Sequence, residues 1–292
     1  MKPIEIGIIG GSGLYDMEGL KSKKEVRIRT PFGKPSDSFM TGVLEGRRVA
    51  FLSRHARGHR ILPGEINFRA NIWGMKKLGV ERIISVSAVG SMKEKIRPGD
   101  VCVPDQFYDH TRQRIGTFFG NGVVAHVSFA DPLCPEMRSF LGKSVVEENG
   151  VLHDGGTYFC IEGPQFSSRG ESLIYRKWGV DVIGMTNATE AKLAREAEIC
   201  YATMALVTDY DCWHEEEESV TVEGVIETLK KNVSLSQRVI RSMIPKISVH
   251  RSCPCGKALQ NAVMTPPSLI PKKTRESLKL LLGKYIKKRV SQ

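Results

Sequence analysis

Two carboxylates set two residues apart, Asp209 and Asp211, follow an apolar run from Cys200 to Val207. The run reads as a buried strand. The segment Thr208-Asp209-Tyr210-Asp211 then falls just past its carboxyl end, where open α/β sheets bind ligands. In an extended chain residues i and i+2 share a side. Two acids on one side can accept from an amino group and give a proton to a ring nitrogen. A basic group stands elsewhere: Ser53-Arg54-His55-Ala56-Arg57-Gly58-His59-Arg60 follows the strand-like stretch Gly46 to Leu52 and holds three Arg and two His within seven residues. The planar guanidinium fork offers an oxyanion two parallel hydrogen bonds, so this loop is a candidate anion site, with a solvated turn as the alternative. A third group is Ile4 to Gly13, a strand opening into a glycine loop around Ser12. Its backbone N–H groups suit a phosphate, but it has neither the dinucleotide-binding spacing nor a P-loop lysine, and read alone it is equally a tight turn.

The elements that must position these groups alternate along the chain. Asn67 to Leu78 has Phe68, Ile72, Met75 and Leu78 at helical spacing, and Arg82 to Val89 is the next strand, ending in Gly90-Ser91. Strand, helix, strand implies a parallel crossover. Val101 to Phe107 reads as one strand, bent or at an edge because of Pro104. A helix is expected from about Glu136 to Asn149, a strand over Gly156 to Cys160 and a helix over Glu171 to Gly179. Asp181 to Met185 reads as a strand end, followed by a helix with Thr186 as N-cap and Glu190 in the first turn, where negative charge suits the helix dipole. A long helix over Val222 to Ile244 and a basic helix over Lys272 to Val290 complete the chain, with no internal repeat.

Length and composition limit the function classes. With 292 residues and 41% hydrophobic content, the chain suits one large α/β domain, or one domain with a tail. No apolar run approaches about 18 residues, and Glu5 interrupts the short apolar start, so neither a membrane span nor a signal peptide is expected and a cytoplasmic location is the default. The net charge of +11 invites a nucleic-acid reading, yet much of the excess sits after residue 270, and no nucleic-acid-binding motif accompanies it. That tail reads as a solvated basic helix.

The order of motifs resembles the methylthioadenosine phosphorylases of the trimeric purine nucleoside phosphorylase family. The resemblance is carried by IGGSGL (Ile9 to Leu14), TPFGKPSD (Thr30 to Asp37), RHARGH (Arg54 to His59), NFRANIW (Asn67 to Trp73), SAVGS (Ser87 to Ser91), RPGD (Arg97 to Asp100), IEGPQFSSRGES (Ile161 to Ser172), GMTNATEAKLAREAEICYA (Gly184 to Ala202) and TDYDCW (Thr208 to Trp213). It covers roughly residues 4 to 247. It implies a single-domain α/β phosphorylase fold with a central mixed, twisted sheet flanked by helices. The phosphorylase domain would span 1–250 and a basic C-terminal helical extension 251–292. The implied reaction is attack of inorganic phosphate on C1′ of 5′-methylthioadenosine, giving adenine and 5-methylthioribose 1-phosphate, with phosphate as co-substrate and no metal or organic cofactor. Carried over position by position, phosphate would be held by Ser12, Arg54, His55, Ser87, the Ala88 backbone and Thr186. Met185 would lie against the ribose and Phe166 on the purine. Asp209 would protonate N7, and an ionised Asp211 would bind the 6-amino group. Val222, Val225 and Ile226 would line the methylthio pocket. His126 would reach the substrate of a neighbouring subunit, which implies a homotrimer, alone or paired into a hexamer; neither nucleic acid nor membrane is implied as a partner.

The chain departs from the family pattern at Asn187-Ala188-Thr189-Glu190, where the family has a proline-glutamate pair after a hydrophobic residue. The Asn187 carboxamide offers a donor and an acceptor to a purine edge, which leaves a 6-oxopurine nucleoside or methylthioinosine open as substrate. A purine-binding protein without turnover is the reading from another class. Seven cysteines are present, five scattered and two in Cys253-Pro254-Cys255. The resemblance extends to relatives from heat-loving microbes that carry a similar pair and use disulfides. Reduced thiols are the alternative, a disulfide across a CxC would be strained, and a lone CxC is too little for zinc, which wants four ligands.

Overall fold

The computed structural model describes residues 4–15, 17–214 and 222–286; the side chains of Ser12, residues 222–227 and Leu229 lie outside that description. In chain order the elements are β1 (Ile6–Gly10), β2 (Lys21–Val26), β3 (Phe39–Leu44), β4 (Arg47–Ser53), α1 (Phe68–Leu78), β5 (Arg82–Ser91), β6 (Val101–Val103), β7 (Gln106–Asp109), α2 (Pro135–Glu147), β8 (Leu152–Asp154), β9 (Thr157–Cys160), α3 (Arg169–Lys177), β10 (Val182–Gly184), α4 (Asn187–Glu196), β11 (Cys200–Tyr210), α5 (Val222–Met243), α6 (Lys272–Ser277) and α7 (Lys279–Ile286).

All eleven strands join one mixed sheet, ordered β2-β3-β4-β1-β5-β10-β9-β7, with β11 pairing both β5 and β6, and β6 pairing β8. The centre is parallel: β1 runs with β4 and β5, and β11 runs with β5. The central strands are apolar without alternation, as strands covered on both faces must be; β1 is buried at every residue and β11 over its first nine. β5 is the branch point. Its first half pairs β1 while its last two residues pair β10 antiparallel, and β11 follows it from Arg82 to Ser91 with a register shift between Val207 and Asp209. Two large apolar clusters flank the sheet. One includes Phe68, Ile72 and Met75 of α1 with Leu193 and Ala194 of α4; the other includes Met137 and Leu141 of α2 with Val239 and Ile240 of α5.

The structure corrects the sequence reading in two places. Val101 to Phe107 is two strands, since β6 ends before Pro104 and β7 begins at Gln106; proline cannot donate to a ladder. The basic tail is not a solvated helix. It breaks into α6 and α7 around Leu278, and Leu278, Leu281 and Leu282 are buried in the same cluster as α1. Glu198, between α4 and β11, anchors it by accepting from Leu259 N at 3.1 Å, from the Tyr285 hydroxyl and from Lys284 Nζ at 2.5 Å. The lysines project outward while their neighbours fill the core, the usual arrangement of an amphipathic helix.

Glu196 makes a stability prediction. It is buried at the end of α4 and accepts from Thr117 Oγ1 and Phe118 N, both at 2.7 Å. Burial pushes its carboxyl up to about 7, against those two hydrogen bonds. A folded value above the unfolded one gives stability that is complete below the unfolded value of 4.5 and is lost as pH rises through about 7. Glu196→Gln removes that titration, so between about pH 5 and pH 8 the variant should gain on the native chain by on the order of 1–3 kcal/mol in denaturant unfolding curves. A difference independent of pH would refute the assignment.

Candidate active site

Four central parallel strands deliver their carboxyl ends to one edge of the sheet, and most of the expected site residues stand there. β1 leads into the glycine loop and β4 into Arg54. β5 ends through Ser87, Ala88 and Gly90, and β11 ends through Asp209 toward Asp211. Arg54 N donates to Gly10 O at 3.0 Å, so the glycine loop and the basic loop leave the sheet together.

Beneath this edge lies a buried polar network built on Arg54 and Glu190, which are 3% and 0% exposed. Arg54 Nε donates to Glu190 Oε1 at 2.5 Å, its Nη2 to Glu190 Oε2 at 3.1 Å and to Ser85 Oγ at 2.6 Å, and its Nη1 to Val86 O at 3.0 Å. Ser85 Oγ and the Tyr201 hydroxyl also donate to Glu190 Oε2, at 3.0 and 2.8 Å. Burial alone would lower the Arg54 guanidinium, but the Glu190 charge and its hydrogen bonds hold it above its ordinary value, so it stays charged. Those contacts occupy most of its donors and lock its plane, leaving one Nη1 hydrogen for an anion at the sheet edge.

His55 is poised differently. Its Nδ1 lies 2.8 Å from the carbonyl of Ile61, which can only accept, so Nδ1 carries the hydrogen and Nε2 presents a lone pair. Burial, followed at a distance by the positive Arg54, pushes the imidazole down to about 4, against the pull of the Ile61 carbonyl. The ring is therefore neutral at pH 7. It stacks on His59 with centroids 4.4 Å apart. Ser87 is nearly buried, with its Oγ 3.2 Å from the Tyr158 hydroxyl, whereas Ala88 is exposed. Tyr158 reaches this point only because residue 184 is glycine: a Cβ there would fall 2.0 Å from the Tyr158 oxygen.

Thr186 and Asn187 open α4. Thr186 takes the N-cap position without its hydroxyl accepting from a helix N–H; instead it donates to Asn187 Oδ1 at 3.0 Å. Asn187 is fully buried, and its Nδ2 donates to Thr203 Oγ1 at 2.9 Å and to Ser85 Oγ at 3.4 Å. Both ends of its carboxamide are committed inside the fold, so it does not present the purine-reading edge that the sequence offered.

The acid pair faces the same carboxyl end of β5, three residues beyond Ser87. Gly90 pairs with Asp209, and a Cβ on Gly90 would fall 3.3 Å from Asp209 Oδ2 and 3.5 Å from Asp211 Cβ; both acids therefore crowd the same glycine. Asp209 is half-buried and its Oδ1 accepts from Thr208 Oγ1 at 2.6 Å. Asp211 is 8% exposed, is fixed by its backbone N–H on Ser91 O at 3.1 Å, and accepts through Oδ2 from Ser172 Oγ. Burial pushes the Asp211 carboxyl above its ordinary range, opposed by the Ser172 hydroxyl and the Cys212 N–H. The shift is toward the protonated form, the opposite direction to the ionised Asp211 that the resemblance implies.

The remaining candidates are more open. Phe166 is 85% exposed in the loop before α3. Met185 is half-buried, and its carbonyl accepts from Arg114 Nη1, while Arg114 Nη2 donates to Glu162 O at 2.6 Å. Arg114 thereby ties the end of β10 to the Phe166 loop. His126 is exposed on a segment bridged to the tail, with its N–H on Ala262 O at 2.9 Å. The side chains of Ser12, Val222, Val225 and Ile226 lie outside the described residues. Ser85, Glu190, Tyr201, Ser172, Tyr158 and Arg114 were not singled out as site residues. Several lie inside the quoted motifs, but their pairing across the sheet has no sequence signal. A cavity of about 550 Å³ lies elsewhere, against the tail residues Leu259, Ile270 and Tyr285.

The sequence matches the family described as Phosphorylase superfamily over residues 5–245. The chain belongs to the phosphorylase superfamily. Its relatives include a Geobacter sulfurreducens protein named S-methyl-5′-thioadenosine phosphorylase, 57% identical with 96% of this chain and 99% of the relative covered. A protein of the same name from Synechocystis is 58% identical over 96% of this chain and 87% of its own length. Among solved structures, a methylthioadenosine phosphorylase from an antarctic soil metagenomic library superposes with a TM-score of 0.93 at 50% identity, covering 97% of this chain and 100% of the other. An adenosine/methylthioadenosine phosphorylase mutant from Schistosoma mansoni, in complex with adenine, gives 0.84 at 34% identity, covering 89% and 99%. The carboxyl-end edge described above is thus the region of a superfamily member in which phosphate and nucleoside chemistry is to be sought.

Ser172 provides a test that leaves both acids in place. Its hydroxyl holds the Asp211 carboxyl down, so Ser172→Ala should raise that group further. The limb of the pH–rate profile governed by Asp211 should move to higher pH, whichever protonation state is active. A profile that keeps its shape while the rate changes would remove Asp211 from the titrating machinery.

Proposed function

We infer that this enzyme cleaves 5′-methylthioadenosine with inorganic phosphate, giving adenine and 5-methylthioribose 1-phosphate. The observation that carries the reading is the arrangement at the carboxyl end of β5: the oxyanion groups around Arg54 and Ser87 and the acids facing Gly90 stand on one edge of the sheet, at the ends of the parallel strands β4, β1, β5 and β11. The names and bound ligands of the relatives agree with it.

In this reading phosphate is held by Arg54, His55, Ser87, the Ala88 backbone and Thr186, with Ser12 from the glycine loop. Neutral His55 is a hydrogen-bond acceptor at Nε2, so it favours monohydrogen phosphate, whose hydroxyl can donate to it. A phosphate oxygen bonds to C1′ as the C1′–N9 bond breaks, and the electron pair leaves with the base. Positive charge grows on the ribose during this step, and the phosphate charge offsets it. Asp209 gives N7 a proton, because a neutral leaving base lowers the barrier. The proton first carried by phosphate restores the acid, so sugar phosphate and neutral adenine balance the reaction. Asp211 reads the position 6 substituent, Met185 packs against the ribose, and Phe166 covers the base. Asn187 acts through Thr186, whose hydroxyl it orients.

Phosphate is the co-substrate, and no step calls for an organic cofactor. A homotrimer, with His126 contributed across the interface, is supported by the exposed Leu173 and Ile174 on α3, Trp178 just past its end and Phe166 in the loop before it. No helix among the described residues is long and apolar enough to cross a membrane; we place the enzyme in the cytoplasm, with nucleoside and phosphate rather than nucleic acid as partners.

The raised Asp211 carboxyl supports a second reading. A protonated acid donates, and the O6 of a 6-oxopurine accepts. Base release with and without phosphate, from methylthioadenosine, methylthioinosine, adenosine and inosine, separates the two. Phosphate-dependent adenine release, fastest from methylthioadenosine, is the expected result, and Asp209→Asn should lower kcat by roughly two to four orders of magnitude. Preference for methylthioinosine would establish the second reading, and no release from any of the four would overturn both.

A further inference from the structure

The two cysteines of the tail are not alone. Cys253 and Cys255 lie against Cys134, which precedes α2, and Cys200, the first residue of β11; all four sulfurs lie within 4.8 Å of one another. We propose that these four cysteines form a mononuclear tetrathiolate site for a zinc ion, which fastens the C-terminal segment to the phosphorylase core.

The geometry suits one metal ion. A tetrahedral centre with Zn–S bonds of about 2.3 Å places its sulfurs about 3.8 Å apart along every edge. Cys200 and Cys253 stand 3.3 Å apart and no pair exceeds 4.8 Å, so modest movements of the side chains complete the tetrahedron. A disulfide would instead need one pair at about 2.05 Å. A two-iron cluster spreads its ligands over two metals and needs a wider set. Four ligands with no open position describe a structural site, not a catalytic one.

The surroundings are built to hold the thiols in place. Cys134 N donates to Tyr201 O and Cys200 N to Glu81 O, both at 2.9 Å, which fixes the two core ligands. Glu136, in the first turn of α2, accepts from Ser252 N at 3.1 Å, Ser252 Oγ at 3.2 Å and Cys253 N at 3.3 Å, which fixes the arm carrying the other two. Arg251 hydrogen-bonds toward Cys200 and lies across Gly256, with its Nη1 donating to Glu198 O at 2.9 Å. Its charge offsets part of the net negative charge that four thiolates and one divalent ion carry. On binding, each thiol gives its proton to solvent and each sulfur donates an electron pair to the metal, with no change of oxidation state. Cys134, Cys200 and Cys255 are buried and Cys253 is half-buried, so the ion enters from the tail side.

The test uses the full chain, purified without chelator from cells grown with zinc. Elemental analysis should find about one zinc per chain. Replacing zinc with cobalt(II) should produce the visible bands of a tetrahedral cobalt thiolate. Cys253→Ser and Cys134→Ser should each lose most of the metal, whereas Cys102→Ala, outside the cluster, keeps it. Should the serine variants fail to fold, the cobalt spectrum of the native chain still decides. Trace metal after both zinc growth and cobalt reconstitution would overturn the proposal. So would thiol counting of the unreduced, denatured chain that finds only Cys102, Cys160 and Cys212 free, since the four would then be joined in disulfides.

Discussion

The pairing of Arg54 with Glu190 is the constraint on which the edge of the sheet depends. Two charges buried this deeply do not add much net stability, because desolvation offsets most of their attraction. Removing either partner is another matter and costs roughly 3–5 kcal/mol, since the survivor is a buried, uncompensated charge. The pair is retained for position. Glu190 belongs to α4, Arg54 follows β4, Ser85 lies on β5 and Tyr201 on β11, so one carboxylate holds four elements in a common frame. The network keeps Arg54 rigid and charged, as the phosphate role proposed for it requires.

Much of the fold was legible from periodicity. The alternation of apolar runs and helical patterns located most of the strands and helices, and the position of the acids after β11 follows from the general rule for parallel sheets. Motif length was a less direct guide. The stretches Thr30 to Asp37 and Asn67 to Trp73 are clasped to each other: Asn67 donates to Phe32 O at 2.7 Å, and Asn71 exchanges hydrogen bonds with Ser36 at 2.8 and 2.9 Å. A specific sequence can thus mark an internal fastening as readily as a contact with substrate.

What was hidden depends on pairing over long distances. Glu190 reads as a helix-dipole residue until Arg54, 136 positions earlier, is placed against it. Asn187 reads as a base contact until its partners Thr203 and Ser85 are seen. The tail reads as solvated because basic residues dominate it, and only Glu198 and the α1 cluster reveal which face is inward. The cysteines follow the same rule: Cys253 and Cys255 gain meaning from Cys134 and Cys200, which the sequence leaves scattered.

β5 touches both halves of the proposed site, carrying Ser87 itself and pairing Gly90 with Asp209 of β11. With about 3.3 Å of rise per residue, the three steps from Ser87 to Gly90 hold the anion groups and the acid pair about 10 Å apart. The strand therefore works as a fixed gauge for the length of the molecule that can be spanned between them. The break in register between Val207 and Asp209 lies on the neighbouring strand, not on β5 itself. In the proposed reading, a change at that break re-aims the acids and leaves Ser87 in place, so the choice of base is separable from the hold on the nucleophile.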